Sequence, residues 1–139
     1  MTGLRSGFSV AGYRIEAPLG TGSTGTVYSA LDAALDRRVA IKVLLPELAR
    51  DERFRERFLR ESRLAASLEH PNVIPIHAVG DADGVLYLVM RYVDGRDLAA
   101  TLRRHRRLDP ATVLELLGQV ADALDTAHAR GLVHRDVKP

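Results

Sequence analysis

Hydrophobic and polar residues alternate from Tyr13 to Leu45, with glycines interrupting the pattern, and after Arg50 the spacing becomes helical. Alternation with a period of two predicts strands, whereas apolar residues three and four positions apart predict a helix. The predicted strands are Tyr13–Leu19, Thr26–Asp32 and Arg38–Leu44. Because no helix separates these strands, we expect them to form an antiparallel meander.

The helical segment, from Arg50 to Glu69, carries an apolar stripe that includes one glutamate. Its members lie three or four residues apart: Phe54, Phe58, Glu61, Ala65 and Leu68. The apolar stripe of an amphipathic helix faces the protein core, so we expect Glu61 to point inward. The alternative is a surface pair between Glu61 and Arg57 on the preceding turn.

Two further apolar runs, Val73–Val79 and Val85–Met90, flank an Asp-Ala-Asp-Gly turn and predict a hairpin. They follow His70-Pro71-Asn72, which ends the helix. A short helix is then expected from about Asp97 to Arg106. The sequence therefore predicts five strands with one helix, followed by further helices.

A long helix is predicted to begin at Asp109 and Pro110, as the N-cap and first helical residue, and to stop at Gly131. It has a broad apolar face formed by Val113, Leu116, Leu117, Val120, Leu124 and Ala127. We expect this face to be an exposed hydrophobic surface unless another segment covers it.

Composition narrows the possible functions. The chain has 139 residues, 46% of them hydrophobic and none of them cysteine, which excludes a disulfide framework and a thiolate metal site. No apolar run approaches the roughly 20 residues of a membrane helix, so we expect a cytoplasmic segment. Net charge is only +2, and we interpret the basic run Arg103–Arg107 as a solvated helix end rather than a nucleic-acid site.

The segment Gly20-Thr21-Gly22-Ser23-Thr24-Gly25 fits the pattern G-x-G-x-x-G. In a dinucleotide-binding loop this pattern opens a helix, whereas here Val27 and its neighbours lead into a strand. A loop between two strands favours a flexible lid over nucleotide phosphates. An ordinary glycine-rich hairpin is the alternative.

Lys42 follows the apolar residues Val39-Ala40-Ile41 within a predicted strand. Burial of an unpaired ammonium group is costly, so Lys42 needs an anionic partner. The candidates are Glu61 and the phosphates of a bound nucleotide.

The chain ends in His134-Arg135-Asp136-Val137-Lys138-Pro139, which matches the start of the protein kinase catalytic loop. With the glycine-rich loop and the strand that carries Lys42, it makes the stretch from Tyr13 to Pro139 resemble bacterial Hanks-type, or eukaryotic-like, serine/threonine protein kinases. The resemblance implies transfer of phosphate from MgATP to serine or threonine hydroxyls of a protein substrate.

The resemblance also implies a role for each matching residue. Asp136 would orient the substrate hydroxyl, Lys138 would stabilise the transferring phosphoryl group, and Lys42 with Glu61 would hold the ATP phosphates. Arg135 is typical of kinases that are activated by phosphorylation of a loop. The residues implied to bind ATP are Leu19, Gly20, Thr21, Gly22, Ser23, Thr24, Gly25, Val27, Ala40, Lys42, Met90, Arg91, Val93 and Asp97.

Within that set, the resemblance makes Met90 the gatekeeper, and the backbone of Arg91 and Val93 would bond adenine. Asp97 could reach the ribose. Arg91 departs from the glutamate that is common after the gatekeeper. Two further residues, Val27 and Ala40, would sandwich the adenine ring, although both would also suit an ordinary core.

The implied fold is α+β. It comprises an N-terminal extension at residues 1–12, a kinase small lobe at 13–90 with a five-stranded antiparallel sheet and one regulatory helix, a hinge at 91–96, and part of the large lobe at 97–139 with its first two helices. The magnesium ligands of the family would follow Pro139, so we expect the segment to be inactive alone.

The alternative function is a non-catalytic module, derived from a kinase small lobe, that binds nucleotide or dimerises. A homodimer formed through the small lobe is a possible assembly, because bacterial members of the family can pair in this way. Such kinases often continue into a membrane helix, so the parent protein could be membrane-anchored through a segment outside this sequence.

Overall fold

A computed structural model of the chain describes residues 4–138. Within them one sheet has six strands: β1 (Ser9–Val10), β2 (Tyr13–Gly22), β3 (Gly25–Asp32), β4 (Arg37–Leu44), β5 (Ile76–Ala82) and β6 (Val85–Arg91). The helices are α1 (Pro46–Arg50), α2 (Glu52–Ala66), α3 (Leu98–His105) and α4 (Pro110–Ala129). The predicted α+β class is confirmed.

The sheet is antiparallel throughout, and its strand order is β1-β2-β3-β4-β6-β5. The prediction of five strands was wrong by one, because Ser9–Val10 pairs with β2. Val10 is 3% exposed, and the Leu4 N–H donates to the Tyr28 hydroxyl at 3.0 Å. The segment before Tyr13 therefore covers one face of the sheet.

One core cluster lies on the sheet face that this segment covers. Its fully buried side chains are Ile15, Ala30, Val39, Ile41 and Val89. The register pairs Ile15 with Ala30 and Ile41 with Val89, so these side chains share a face. Burial of this face fixes the register, because a slip of one residue would turn every core side chain to the opposite side.

The predicted helix from Arg50 to Glu69 corresponds to α2, and a break separates it from the short helix α1. The break falls at Asp51, which has extended backbone angles and accepts a hydrogen bond from the Phe54 N–H at 3.1 Å as the N-cap of α2. An aspartate with this geometry starts a helix rather than continuing one. An ion pair of 2.9 Å between Arg55 and Asp81 then ties the first turn of α2 to β5.

The chain is divided into two compact units. The first contains the described residues up to Ser67 together with Ile74–Tyr92, and holds the whole sheet, α1 and α2. The second contains Leu68–Val73 and the described residues from Val93 onward, including α3 and α4. The later boundary lies inside the segment 91–96 that was predicted as a hinge.

Within the second unit, the loop Leu68–Val73 is bound to α4. A ring nitrogen of His70 lies 2.9 Å from Asp122 Oδ2, and the Asn72 amide donates to Gln119 at 3.1 Å. The other His70 ring nitrogen accepts from the Asn72 N–H at 3.1 Å, so a neutral His70 carries its proton on the nitrogen that faces Asp122.

The predicted ends of α4 are confirmed. Asp109 is the N-cap and Pro110 opens the helix. At the other end Gly131 has φ +74°, and hydrogen bonds run from Gly131 N–H to His128 and from Leu132 N–H to Ala127. This is the Schellman arrangement, in which a glycine without a Cβ adopts the left-handed conformation at low cost.

The apolar face of α4 is partly exposed, as expected. Leu117 and Val120 are 57% and 42% exposed, whereas Ala123 on the following turn is 9% exposed. The basic residues Arg103–Arg107 are all exposed, in keeping with a solvated helix end. No helix among residues 4–138 is both long and apolar enough to cross a membrane.

We predict that Asp109→Ala lowers the unfolding temperature at neutral pH, because α4 loses its N-cap. Hydrogen bonds from the Thr112 hydroxyl and N–H lower the pKa of Asp109 below its ordinary 3.8. The stabilisation is therefore complete above pH 3.8 and is lost as the pH falls through the lower folded-state pKa.

The measurement is thermal unfolding by circular dichroism, with Asp125→Ala, an exposed position on the same helix, as the control. The difference between wild type and Asp109→Ala should shrink below pH 3.8. A difference that is equally large at pH 7 and in acid would contradict the role of the ionised cap.

Candidate functional site

The glycine-rich segment forms a tight hairpin between β2 and β3. Gly22 pairs with Gly25 and Thr21 with Thr26, which leaves Ser23 and Thr24 at the turn. The predicted strand-loop-strand context is confirmed, and the helix that a dinucleotide-binding loop requires is absent between these described strands.

The glycines of this hairpin are not equivalent. A Cβ placed on Gly25 would collide with the Val43 carbonyl oxygen and lie 2.9 Å from the Leu44 Cα, so close packing of β3 on β4 explains this glycine. A Cβ on Gly20 would meet no atom within 4 Å, and one on Gly22 would touch only the Gly25 oxygen at 4.0 Å. Packing therefore does not explain Gly20 or Gly22.

The sheet register brings four predicted site residues to one face. Val27 on β3 pairs with Lys42 on β4, and Ala40 on β4 pairs with Met90 on β6. Ala40 and Lys42 are two positions apart on the same strand, so all four side chains lie on the face opposite the core. Val27, Lys42 and Met90 are partly exposed, whereas Ala40 is buried.

Glu61 does not have the inward orientation that the apolar stripe predicted. The buried residue of α2 is its neighbour Ser62, and Glu61 itself is exposed. The ion pairs found within residues 4–138 do not include one between Lys42 and Glu61. The inward orientation is not observed because the buried side of α2 includes Ser62, and successive residues of an α-helix point about 100° apart, which turns Glu61 away from it.

In the second unit, the motif that follows α4 places two predicted catalytic residues in contact. The Lys138 ammonium donates to Asp136 Oδ2 at 2.8 Å, and both side chains are 71% exposed. The Asp136 N–H donates to His134 Nδ1 at 3.3 Å. Arg135, which lies between His134 and Asp136 in the sequence, has φ +64°. This backbone conformation is rare for a residue other than glycine, and such residues concentrate at functional sites.

The predicted hinge residues lie at the end of β6 and just after it. Met90 and Arg91 close β6, where the Arg91 N–H donates to the Pro75 carbonyl at 3.0 Å. Val93 is 57% exposed. The Asp97 carboxylate is the N-cap of α3 and accepts from the Ala100 N–H at 2.6 Å.

One cluster beside these residues was not identified from the sequence. Arg38 pairs with Glu16 at 3.0 Å, and its guanidinium carbon lies 5.5 Å from the centre of the Tyr92 ring. The available signal was the position of Arg38 two residues before Ala40, which places both on one face of β4.

The sequence matches a known protein family. The model of the protein kinase domain matches residues 13–139. The chain belongs to the protein kinase family. The predicted kinship with bacterial serine/threonine kinases is confirmed by relatives from Mycobacterium tuberculosis.

Two of these kinases are similar to almost the whole chain. Serine/threonine-protein kinase PknJ is 46% identical over 136 residues, which are 98% of this chain and 23% of PknJ. Serine/threonine-protein kinase PknE is 45% identical over 135 residues, 97% of this chain and 24% of PknE. The chain therefore spans about a quarter of the length of these relatives.

Solved structures agree with the fold. The crystal structure of a mutant of the M. tuberculosis PknI kinase domain, in which one cysteine is replaced by alanine, superposes with a TM-score of 0.89 at 41% identity. The match covers 99% of this chain and 57% of that one. A crystal structure of the PknI kinase domain without that replacement gives a TM-score of 0.86 at 42% identity, with 98% and 55% coverage.

We predict that Gly25→Ala lowers the free energy of unfolding by about 1–3 kcal/mol, because the added methyl group overpacks β3 against the backbone of β4. Gly20→Ala is the matched control, since it adds the same methyl group to open space. Denaturant titration of both variants provides the measurement. Equal losses of stability in the two variants would contradict the distinction between these glycines.

Proposed function

We propose that this chain is the ATP-binding part of a serine/threonine protein kinase that phosphorylates protein hydroxyl groups. The observation that carries the proposal is the shared face of Val27, Ala40, Lys42 and Met90, which the register of β3, β4 and β6 fixes. It supports an adenine nucleotide because it combines apolar side chains with the cation of Lys42.

The hairpin that precedes Val27 supports phosphate binding. Gly20 and Gly22 have open space where a side chain would be, so a phosphate group can approach the backbone of the hairpin closely. Lys42 on β4 is half-buried and has no ion pair among the described residues, so its ammonium can bind an anion. These residues fit the triphosphate of ATP.

Each remaining residue then has one task. Asp136 orients the substrate hydroxyl and accepts its proton, and Lys138, already in contact with Asp136, stabilises the negative charge of the transferred group. The backbone of Arg91 and Val93 bonds adenine, and Asp97 lies near the ribose.

Magnesium, when bound, neutralises charge on the phosphates. None of the described residues forms a group of three His, Cys, Asp or Glu side chains arranged to hold a metal ion. In the family, the magnesium ligands follow the catalytic motif with which this chain ends. The 139-residue chain alone should therefore bind nucleotide weakly and transfer no detectable phosphate.

The proposal is tested by phosphorylation of a protein substrate by the full-length gene product with labelled ATP and magnesium. We expect Lys42→Met to lower turnover at least about a hundredfold, because the phosphates lose their cation, while the fold is retained. Asp136→Asn should be similarly impaired, because its amide accepts no proton.

Arg37→Met, which removes a cation from the opposite face of β4, serves as the control and should retain activity. Turnover near the wild-type level in Lys42→Met would remove Lys42 from the mechanism. Nucleotide binding without any transfer by the full-length protein would favour the alternative, a non-catalytic module that binds nucleotide or dimerises.

A further inference from the structure

Three side chains from separate segments meet where β6 ends. Arg38 Nε on β4 donates to Glu16 Oε2 on β2 at 3.0 Å, and the guanidinium lies over the ring of Tyr92, the residue that follows β6. We call Glu16, Arg38 and Tyr92 the Arg38 cluster. It belongs entirely to the first unit.

The Arg38 cluster borders the face proposed to bind adenine. Arg38 precedes Ala40 by two positions and therefore shares its face of the sheet. An open groove of about 640 Å³ has Arg38, Glu16 and Tyr92 in its wall together with Leu19, which is proposed to contact the nucleotide. The cluster is thus close enough to influence how that nucleotide is bound.

Tyr92 lies beyond the last paired residue of β6, so the hydrogen bonds of the sheet do not fix its position. Arg91 is the last residue of β6 and pairs with Val39, and beyond it the chain leaves the ladder. Stacking on the guanidinium restricts the Tyr92 ring, and the charged hydrogen bond to Glu16 restricts the guanidinium. Restricting the ring also restricts the peptide groups on either side of Tyr92.

The solvent exposure of the Arg38 cluster indicates that it orients neighbouring groups rather than stabilising the fold. The Arg38 and Glu16 side chains are 58% and 33% exposed, and ion pairs this accessible to solvent contribute little to folding. A planar guanidinium can satisfy a carboxylate and cover an aromatic ring simultaneously, which lysine cannot do. The geometry therefore suits a residue that orients its neighbour.

We propose that Arg38 is a positioning residue for adenine recognition. Held by Glu16, it fixes Tyr92 and so the backbone of Arg91 and Val93, which reads the edge of the base. The inference rests on the proposed function, because it concerns the same nucleotide site. Adenine presents an amino donor where guanine presents a carbonyl acceptor, so misplaced backbone groups lose selectivity between the two.

The experiment measures the Kd of MgATP and MgGTP for the full-length gene product and its variants. Arg38→Met and Tyr92→Leu should each weaken ATP binding about fivefold with a much smaller effect on GTP, because the stack is lost. Tyr92→Phe keeps the ring and should retain the wild-type selectivity. The double variant Arg38→Met/Tyr92→Leu should lose no more than either single variant.

Arg37→Met is the matched control, because Arg37 pairs with Asp32 instead and its loss should leave the ratio of the two affinities unchanged. If Arg38→Met and Tyr92→Leu weaken ATP and GTP binding equally, or leave the selectivity unchanged, the role of Arg38 is contradicted while the proposed function stands. Wild-type protein that binds neither nucleotide would overturn the proposed function and this inference with it. If Arg38→Met fails to fold, the comparison of Tyr92→Leu with Tyr92→Phe decides.

Discussion

The register of β3, β4 and β6 is the constraint on which the rest of the molecule depends. It buries Ile41 and Val89 on one face and leaves Val27, Lys42 and Met90 partly exposed on the other. A shift of one residue would exchange the faces and place an ammonium group in the core. The apolar core therefore keeps the Lys42 cation on the opposite face of the sheet.

The sequence was sufficient wherever local chemistry determines structure. Asp109, Pro110 and Gly131 fix the ends of α4 through a side-chain cap, a preset φ angle and a left-handed turn, and each acts within a few residues. The glycine-rich hairpin was predictable for a similar reason, because its neighbours alternate as strands do. The two-residue strand β1 was missed because two residues are too few to show an alternating period.

Glu61 shows where such reasoning fails. Apolar spacing gives the orientation of a side chain only approximately, and in α2 the fully buried position is Ser62 rather than its neighbour Glu61. The ion pair between Arg55 and Asp81 then holds α2 on β5 while Glu61 faces solvent. The pair between Lys42 and Glu61 that the sequence predicted is not formed among the described residues, because such a contact depends on the position of a whole helix.

Arg38 and Arg91 show how a departure from the family pattern can be read in physical terms. The predicted hinge has Arg91 where the family resemblance implies a carboxylate. Arg38 makes a different contact nearby, because its guanidinium reaches both Glu16 and Tyr92 from a strand whose register the core already fixes. Thus the same core that sets the face of Lys42 also places Arg38 beside Tyr92, at the end of β6.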